Sequence, residues 1–266
     1  LNIENSNKRD ELISKVRLKF DGYSRFDFLL TALFANINNG YDVWSPDNNS
    51  RFITYSDTLG KDRQNTIGAS FKGTYKISER LDLKYISSYS KTKLEHSFDG
   101  DWANDPYWFF NHGFDPNNEG YSYSFYDKYL KDRKSHTNEI RLSKHFEDAD
   151  LIGGIYIKSL NENDEANGYL FGGLVTDANS TYDFNSSAAY MKFNMLFIDN
   201  FKLDASLRTE NTNYQYDGEY FDNAYYTEFP LVNYGSDNYM LGSKVSITHL
   251  KDSESNYFIS VSKGFK

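Results

Sequence analysis

One segment of the sequence, from Phe98 to His112, concentrates the side chains best suited to binding a small molecule. It contains two of the three tryptophans of the chain and three aspartates. Exposed aromatic rings stack on flat or sugar-like ligands, and nearby carboxylates and amides fix a ligand's orientation. This composition predicts a ligand-binding loop whose candidate residues are Asp101, Trp102, Asp105, Tyr107, Trp108, Phe109, Phe110 and His112. The same rings could instead pack the loop against its neighbours or lie at a membrane interface, because a long loop needs a core of its own.

A second polar segment, from Asn161 to Glu165, offers only oxygen ligands and therefore suits a hard cation such as calcium. It lacks the spacing and the glycine of an EF-hand, and a solvated surface loop is the ordinary alternative. The five histidines are scattered without metal-ligand spacing, and no cysteine is available for a thiolate site. We therefore expect neither a metal site nor a cofactor.

Sequence patterns typical of enzymes do not stand out. There is no Ser/His/Asp order, no glycine-rich phosphate loop and no paired-carboxylate motif. An enzyme is therefore not expected. The formal net charge of −9 argues against a nucleic-acid partner, because nucleic-acid binding requires a basic stripe.

The elements that must position these residues alternate in polarity with a period of two. The clearest example runs from Asp183 to Glu210 and is interrupted once, at Ile198-Asp199-Asn200. In its second half, Phe201 to Leu207 place apolar side chains on one face, whereas the other face carries full charges. Such alternation around a tight polar turn predicts an antiparallel hairpin. Each arm has the roughly ten residues that a tilted strand needs to cross a bilayer.

The whole chain repeats this pattern and predicts ten strands, with connections that alternate between short and long. The long connections are predicted at residues 38–64, 96–135, 161–180 and 211–237. Short turns on one side and long loops on the other are typical of outer-membrane barrels. The predicted fold is therefore all-β, an antiparallel up-and-down transmembrane β-barrel in which ten strands form part of a larger barrel.

Composition is compatible with this prediction. The mean hydropathy is −0.72, and no run approaches the 18 or more apolar residues of a membrane helix, but barrel strands are only half apolar. Aromatic residues make up 18% of the chain, which suits strands and interfacial girdles. The charged face of the strands is predicted to line the lumen, through Lys15, Arg17, Lys72, Lys84, Arg141, Lys202, Asp204, Arg208 and Glu210.

Three segments resemble the barrel of TonB-dependent outer-membrane receptors. Residues 187–210 look like the mid-barrel hairpin of that family, which commonly ends in a Gly-Leu-Arg-Tyr-type segment; here Ser206 and Thr209 replace the glycine and the tyrosine. Residues 138–143 resemble the family's Gln-Glu-Leu-Arg-Leu strand, and 257–266 resemble the strand before a Pro-Gly-Gly-like loop. Together the resemblance covers most of the chain.

This resemblance implies a receptor in the Gram-negative outer membrane that imports a scarce small molecule such as a ferric siderophore or a similar chelate. It implies contacts with outer-membrane lipid and, through a plug domain, with the TonB complex. Full receptors have about 22 strands around a plugged lumen, and nothing here resembles the plug or the TonB box, so residues 1–266 are expected to be a partial barrel domain. The alternatives are a passive porin-type channel and a soluble β-rich carbohydrate-binding module.

Overall fold

A computed structural model describes residues 5–22, 25–198, 200–222, 227–250 and 255–264. Within these residues, ten strands form one antiparallel sheet in which each strand pairs with its neighbours in sequence. The strands are β1 (Glu11–Phe20), β2 (Phe26–Tyr41), β3 (Gly60–Ser78), β4 (Leu81–Asp99), β5 (Phe125–His145), β6 (Ala149–Leu170), β7 (Gly173–Ile198), β8 (Phe201–Asp222), β9 (Thr227–Leu250) and β10 (Asn256–Lys263). Helices α1 (Asp105–His112) and α2 (Pro116–Glu119) lie between β4 and β5. None of the helices described is long and apolar enough to cross a membrane.

The register of the sheet separates apolar from polar side chains. One row of directly paired residues across β4 to β9 consists of Tyr85, Ile140, Ile155, Ala189, Thr209 and Leu241. The adjacent row consists of Lys84, Arg141, Gly154, Tyr190, Arg208 and Gly242. Successive side chains of a strand point to opposite faces, so the two rows lie on different faces. We call the face of the first row the outer face and that of the second row the inner face.

The outer face carries an apolar band at the end of the sheet nearest the short turns. On β6 the band runs from Leu151 to Ile157, and Ser159 begins a polar region. Ile155 is 59% exposed. At the turn end, the rings of Phe20 and Phe28 stack with their centroids 5.4 Å apart. An exposed apolar band edged by aromatic rings is typical of the lipid-facing surface of a barrel.

The predicted all-β antiparallel fold and its ten strands are confirmed. In the part of the chain that the structure describes, β1 and β10 each have one partner strand. The sheet is therefore not closed, and it has the form of part of a barrel wall.

Two of the four predicted long loops are strands, and that part of the prediction is wrong. Residues 161–180 belong to β6 and β7, which are joined by the two-residue turn Phe171-Gly172 with φ values of 51° and 78°. Positive φ at both positions is the hairpin geometry that matches the twist of the strands. Residues 211–237 belong mainly to β8 and β9. These strands extend beyond the apolar band, where both faces are polar and the hydrophobic alternation stops.

The short turns were predicted close to their observed positions. The turn at residues 78–80 joins β3 to β4, and the turn predicted at 147–150 overlaps the connection from β5 to β6. The turns predicted at 21–23, 198–200 and 251–255 include residues 23, 199 and 251–254, which lie outside the described residues.

Candidate functional site

The two long connections that the structure retains fold together at the end of the sheet opposite the short turns. We call residues 42–59 and 100–124 the loop head. Asn104 joins its two parts: the side-chain oxygen accepts a hydrogen bond from the Tyr107 amide at 3.0 Å, and the side-chain nitrogen donates to the Tyr55 carbonyl at 2.6 Å. The first of these bonds caps α1. Gly113, with φ of 74°, ends the helix in the left-handed conformation that glycine favours.

Asp101 and Trp108, both predicted to bind ligand, are engaged inside the loop head. Asp101 is only 6% exposed. One of its oxygens accepts a hydrogen bond from the Trp108 indole at 2.8 Å, and the other accepts from the Phe125 amide at 3.0 Å. The Trp108 ring packs edge-on against Tyr123 at 4.8 Å. These contacts tie α1 to the start of β5, and they support the packing alternative for this pair.

Tyr107, Asp105 and His112 also contact the head itself. The Tyr107 ring lies 4.7 Å from that of Tyr55, across the junction between the two parts of the head. Asp105 accepts a hydrogen bond from the Ser122 hydroxyl at 2.8 Å. His112 lies at the end of α1, with its ring 5.0 Å from Trp108. The three side chains therefore stabilise the conformation of the loop head.

The other predicted residues, Trp102, Phe109 and Phe110, are exposed to solvent, by 41%, 44% and 81% respectively. The Trp102 ring stacks on Trp44, which is 56% exposed, with centroids 5.7 Å apart and planes 26° apart. Trp102 has a φ of 61°, a conformation uncommon for a bulky side chain. Its amide donates a hydrogen bond to Asp99 at 3.0 Å. The two tryptophans present a flat apolar surface that suits a planar or sugar-like ring.

Three carboxylates meet beneath this tryptophan pair. Within the described residues, Asp57, Asp99 and Asp101 are the one group of three acidic side chains whose oxygens lie within 4.8 Å of one another, a geometry that could hold a cation. Asp99 already accepts hydrogen bonds from the amides of Asp57 and Trp102, both at 3.0 Å, and from that of Asp101 at 3.2 Å. We therefore assign the group to the structure of the loop head.

The carboxylates of this group repel one another, and protonation of one of them removes part of that repulsion. Asp99 lies at the loop end of β4, well above the apolar band. Burial raises the pKa of Asp99 to about 8, and the adjacent Asp101 carboxylate contributes to the increase. Burial also raises the pKa of Asp57. The folded loop head therefore favours the protonated form of the Asp99 carboxyl.

The segment from Asn161 to Glu165 does not form the calcium-binding loop considered above. It lies in β6, so its successive side chains point to opposite faces. On the inner face Glu162 accepts a hydrogen bond from Lys131 at 2.9 Å. On the outer face Asn161 donates to Asp183 at 2.8 Å. The oxygen ligands consequently do not converge on one position.

The fold of this sheet is similar to that of outer-membrane receptors of known structure. No protein-family profile and no curated protein sequence matches the chain. The ferric yersiniabactin uptake receptor FyuA from Yersinia pestis aligns over 94% of this chain and 37% of its own, with a TM-score of 0.74 and 12% identity. The closed form of the ferric-catecholate import receptor Fiu from E. coli K12 aligns over 96% of this chain and 43% of its own, with a TM-score of 0.71 and 12% identity. The siderophore receptor PiuA from Acinetobacter baumannii aligns over 97% and 42%, with a TM-score of 0.63 and 10% identity.

The chain has the barrel fold of TonB-dependent receptors. It spans less than half of each of the three receptors described. At this level of identity the likeness concerns the fold, and it confirms the resemblance found in the sequence motifs.

In a receptor barrel of this kind, the inner face is the wall of the lumen. All nine predicted lumen residues are on this face by their register, and they include charged pairs on β5 and β8. Arg141 donates to Glu139 at 2.6 Å and to the Tyr190 hydroxyl at 3.0 Å, and Arg208 lies 2.8 Å from Glu210. These groups border an open cavity of about 900 Å³. The sheet therefore has a polar inner face, on which Arg141 and Arg208 are paired with carboxylates.

Reasoning from the sequence missed Trp44, the partner of Trp102 in the exposed pair. Trp44 lies in the other part of the loop head, in a segment with no cluster of aromatic residues. One signal was available, because Trp44 is the remaining tryptophan of the chain and also lies in a predicted loop.

Proposed function

We propose that this chain is part of a TonB-dependent receptor in the Gram-negative outer membrane that imports a scarce solute such as a ferric siderophore or a similar chelate. The observation that carries the proposal is a ten-stranded wall with an apolar outer face and a polar inner face, surmounted by a loop head with exposed tryptophans. FyuA is a receptor for uptake of ferric yersiniabactin, and Fiu is a receptor for import of ferric catecholates. That chemistry supports the choice of substrate class.

The proposed sequence of events starts with capture of the solute at the loop head. Trp44 and Trp102 provide a flat surface on which a planar part of the chelate stacks. The solute then moves along the polar inner face after an energised movement of a plug domain. The paired charges of Arg141 and Arg208 keep that face hydrated without leaving a buried charge uncompensated.

The membrane location is tested with the full-length parent gene product. A detergent-extracted membrane fraction should contain a band that resists SDS and shifts its migration only after boiling. A protein that remains in the soluble fraction without a heat shift would instead support a soluble binding module. Free diffusion of sugars into proteoliposomes containing the full-length protein would support a porin-type channel.

Replacing Trp102 with alanine should reduce uptake of the iron-loaded chelate about two- to twelvefold, because an aromatic stacking contact contributes roughly 0.5–1.5 kcal/mol. The measurement is transport of radioactive iron by iron-limited cells that express the full-length receptor at equal surface levels. Since Trp102 is exposed, its replacement should leave the protease resistance of residues 100–124 unchanged.

Trp108→Ala is the matched control, because its ring packs inside the same loop. This variant should make residues 100–124 sensitive to protease while the heat shift of the barrel persists. Unchanged uptake for Trp102→Ala would contradict a role of the exposed pair in capture.

A further inference from the structure

On the loop side of the apolar band, the outer face divides into two sectors of opposite charge. The basic sector comprises the outer-face positions of residues 61–65 on β3, 91–97 on β4 and 128–134 on β5. It carries two carboxylates, Glu95 and Asp132, and six cations: Lys61, Arg63, Lys91, Lys93, Lys128 and Lys134.

The acidic sector continues across β6 to β9, from the row of Asp237, which is one outer-face row closer to the short turns than that of Lys91, as far as Leu231. Its outer-face positions include no lysine or arginine among the described residues, and they carry Glu165, Asp177, Asp183, Asp217, Glu219 and Asp237. The net charge therefore changes from +4 in the basic sector to −6 in the acidic sector. Within the two sectors, all six cations therefore lie on β3 to β5.

The basic sector directly adjoins the apolar band. On β4 the exposed ring of Tyr89 belongs to the band, and Lys91 is the next outer-face residue. On β3 Ile67, which is 46% exposed, occupies the row of Lys91, and Asn65 and Arg63 follow. Apolar surface topped by cations complements a lipid that has acyl chains below a negatively charged headgroup.

The cations of the basic sector are under-compensated within the chain. Lys91 and Lys134 are directly opposite each other in the register of β4 and β5, an arrangement that is destabilising for like charges. Neither ammonium group lies within 4.0 Å of a carboxylate in the described part of the chain. The Arg63 guanidinium lies 3.7 Å from Glu95, but its buried Nε atom has no hydrogen-bond acceptor there. Lys93 reaches Asp132 at only 3.9 Å.

In the acidic sector, in contrast, asparagine side chains of the sheet donate hydrogen bonds to the carboxylates. Asn161 donates to Asp183 at 2.8 Å, and Asn213 donates to Asp237 at 2.7 Å. The carboxylates are therefore hydrogen-bonded along the sheet, whereas the opposed lysines of the basic sector lack an anion.

We propose that the basic sector binds the phosphate group of an outer-leaflet lipid, whose acyl chains lie on the apolar band below. The sector borders a cavity of about 370 Å³, whose lining includes the cations Arg63 and Lys93 and the carboxylates Asp10 and Glu95. A phosphate group bound over the opposed pair supplies the anion that Lys91 and Lys134 lack. The carboxylates of the acidic sector repel such a headgroup, so the phosphate-bearing lipid occupies one side of the barrel. This inference rests on the membrane location in the proposed function.

The test uses the purified full-length receptor in a zwitterionic detergent, titrated with bisphosphorylated lipid A in mixed micelles. Replacing Lys91, Lys93 and Lys134 together with alanine should weaken binding about 100-fold, since each basic residue near an anionic lipid surface contributes roughly 1 kcal/mol. The matched control replaces Lys158, Lys192 and Lys244, which lie on the inner face; it should bind the lipid like the wild type.

A single variant provides a second, milder test. Lys134→Glu places a carboxylate opposite Lys91 and gives that lysine a partner within the sheet. It should therefore also lower the affinity for lipid A while the barrel keeps its heat shift.

Three results would overturn the inference: equal binding of dephosphorylated lipid, unchanged affinity in the triple variant, or displacement of the lipid by an equal concentration of inorganic phosphate. The last would identify a site for free phosphate. The heat shift separates the two proposals, because a folded membrane barrel without lipid A binding defeats only this inference. A protein that never enters the membrane defeats the location on which it rests.

Discussion

Replacing Ile155 with arginine is expected to abolish assembly of the folded protein in the outer membrane. Ile155 lies within the apolar band, between Ile140 and Ala189 in its row, and is 59% exposed on the outer face. An arginine on the lipid face near the bilayer midplane costs roughly 2–4 kcal/mol, a large part of the total stability of many proteins. The measurement is the fraction of full-length protein that shows a heat shift in the extracted membrane fraction.

Ile86→Arg is the control, with the same change on the opposite face. Ile86 is on the inner face of β4, in register with Lys72 on one side and Glu139 on the other. Water in the lumen and the Glu139 carboxylate can compensate the new charge, so this variant should assemble. Equal loss of both variants would contradict the division of the sheet into a lipid face and a lumen face.

The sequence predicts the division into a lipid face and a lumen face because every second side chain of a membrane-spanning strand contacts lipid and must be apolar. Band residues such as Ile155 on β6 and Leu207 on β8 are apolar for the same local reason, and their neighbours in sequence are on the wet face. The period can therefore be read strand by strand, without knowing which strands pair.

Beyond the band this local signal disappears. The pairs Asn161–Asp183 and Asn213–Asp237 join strands by polar contacts, and both faces are hydrated there. Asparagine and aspartate are otherwise typical of turns, so the composition of 161–180 and 211–237 predicts loops. These segments form strands because the pairing between strands in the apolar band continues into them with the same register. That register depends on the neighbouring strands, so it is not visible in the sequence of a single segment.

The site shows the same limit. The aromatic and acidic composition of residues 98–112 identifies a structured loop, but it does not tell Asp101, which is buried, from Trp102, which is exposed. Whether each side chain is buried or exposed depends on contacts outside the segment. Asp101 accepts a hydrogen bond from the Phe125 amide, and the ring of Trp102 stacks on Trp44.

Raising the pH through about 8 is expected to loosen the loop head. An aspartate in an unfolded chain has a pKa near 3.9, whereas burial and the Asp101 carboxylate raise the pKa of Asp99 to about 8 in the folded head. Between these values the folded head holds a proton that the open head releases. Its stability therefore falls as the pH rises across this window and stops falling above about 8. Burial raises the pKa of Asp57 as well, which acts in the same direction.

Hydrogen exchange of residues 100–124 in the folded full-length protein, corrected for the intrinsic effect of pH on exchange, measures this loosening. Protection should fall at least about tenfold between pH 6 and pH 9, which corresponds to about 1.4 kcal/mol of opening free energy. Asp99→Asn removes the titrating group and should flatten the dependence. Asp47→Asn should not, because hydrogen bonds from Asn49 and Ser45 lower the pKa of Asp47 and keep it ionised throughout the window. A wild-type head equally protected at both pH values would mean that Asp99 is already ionised in the folded state, stabilised by the three backbone amides that surround it.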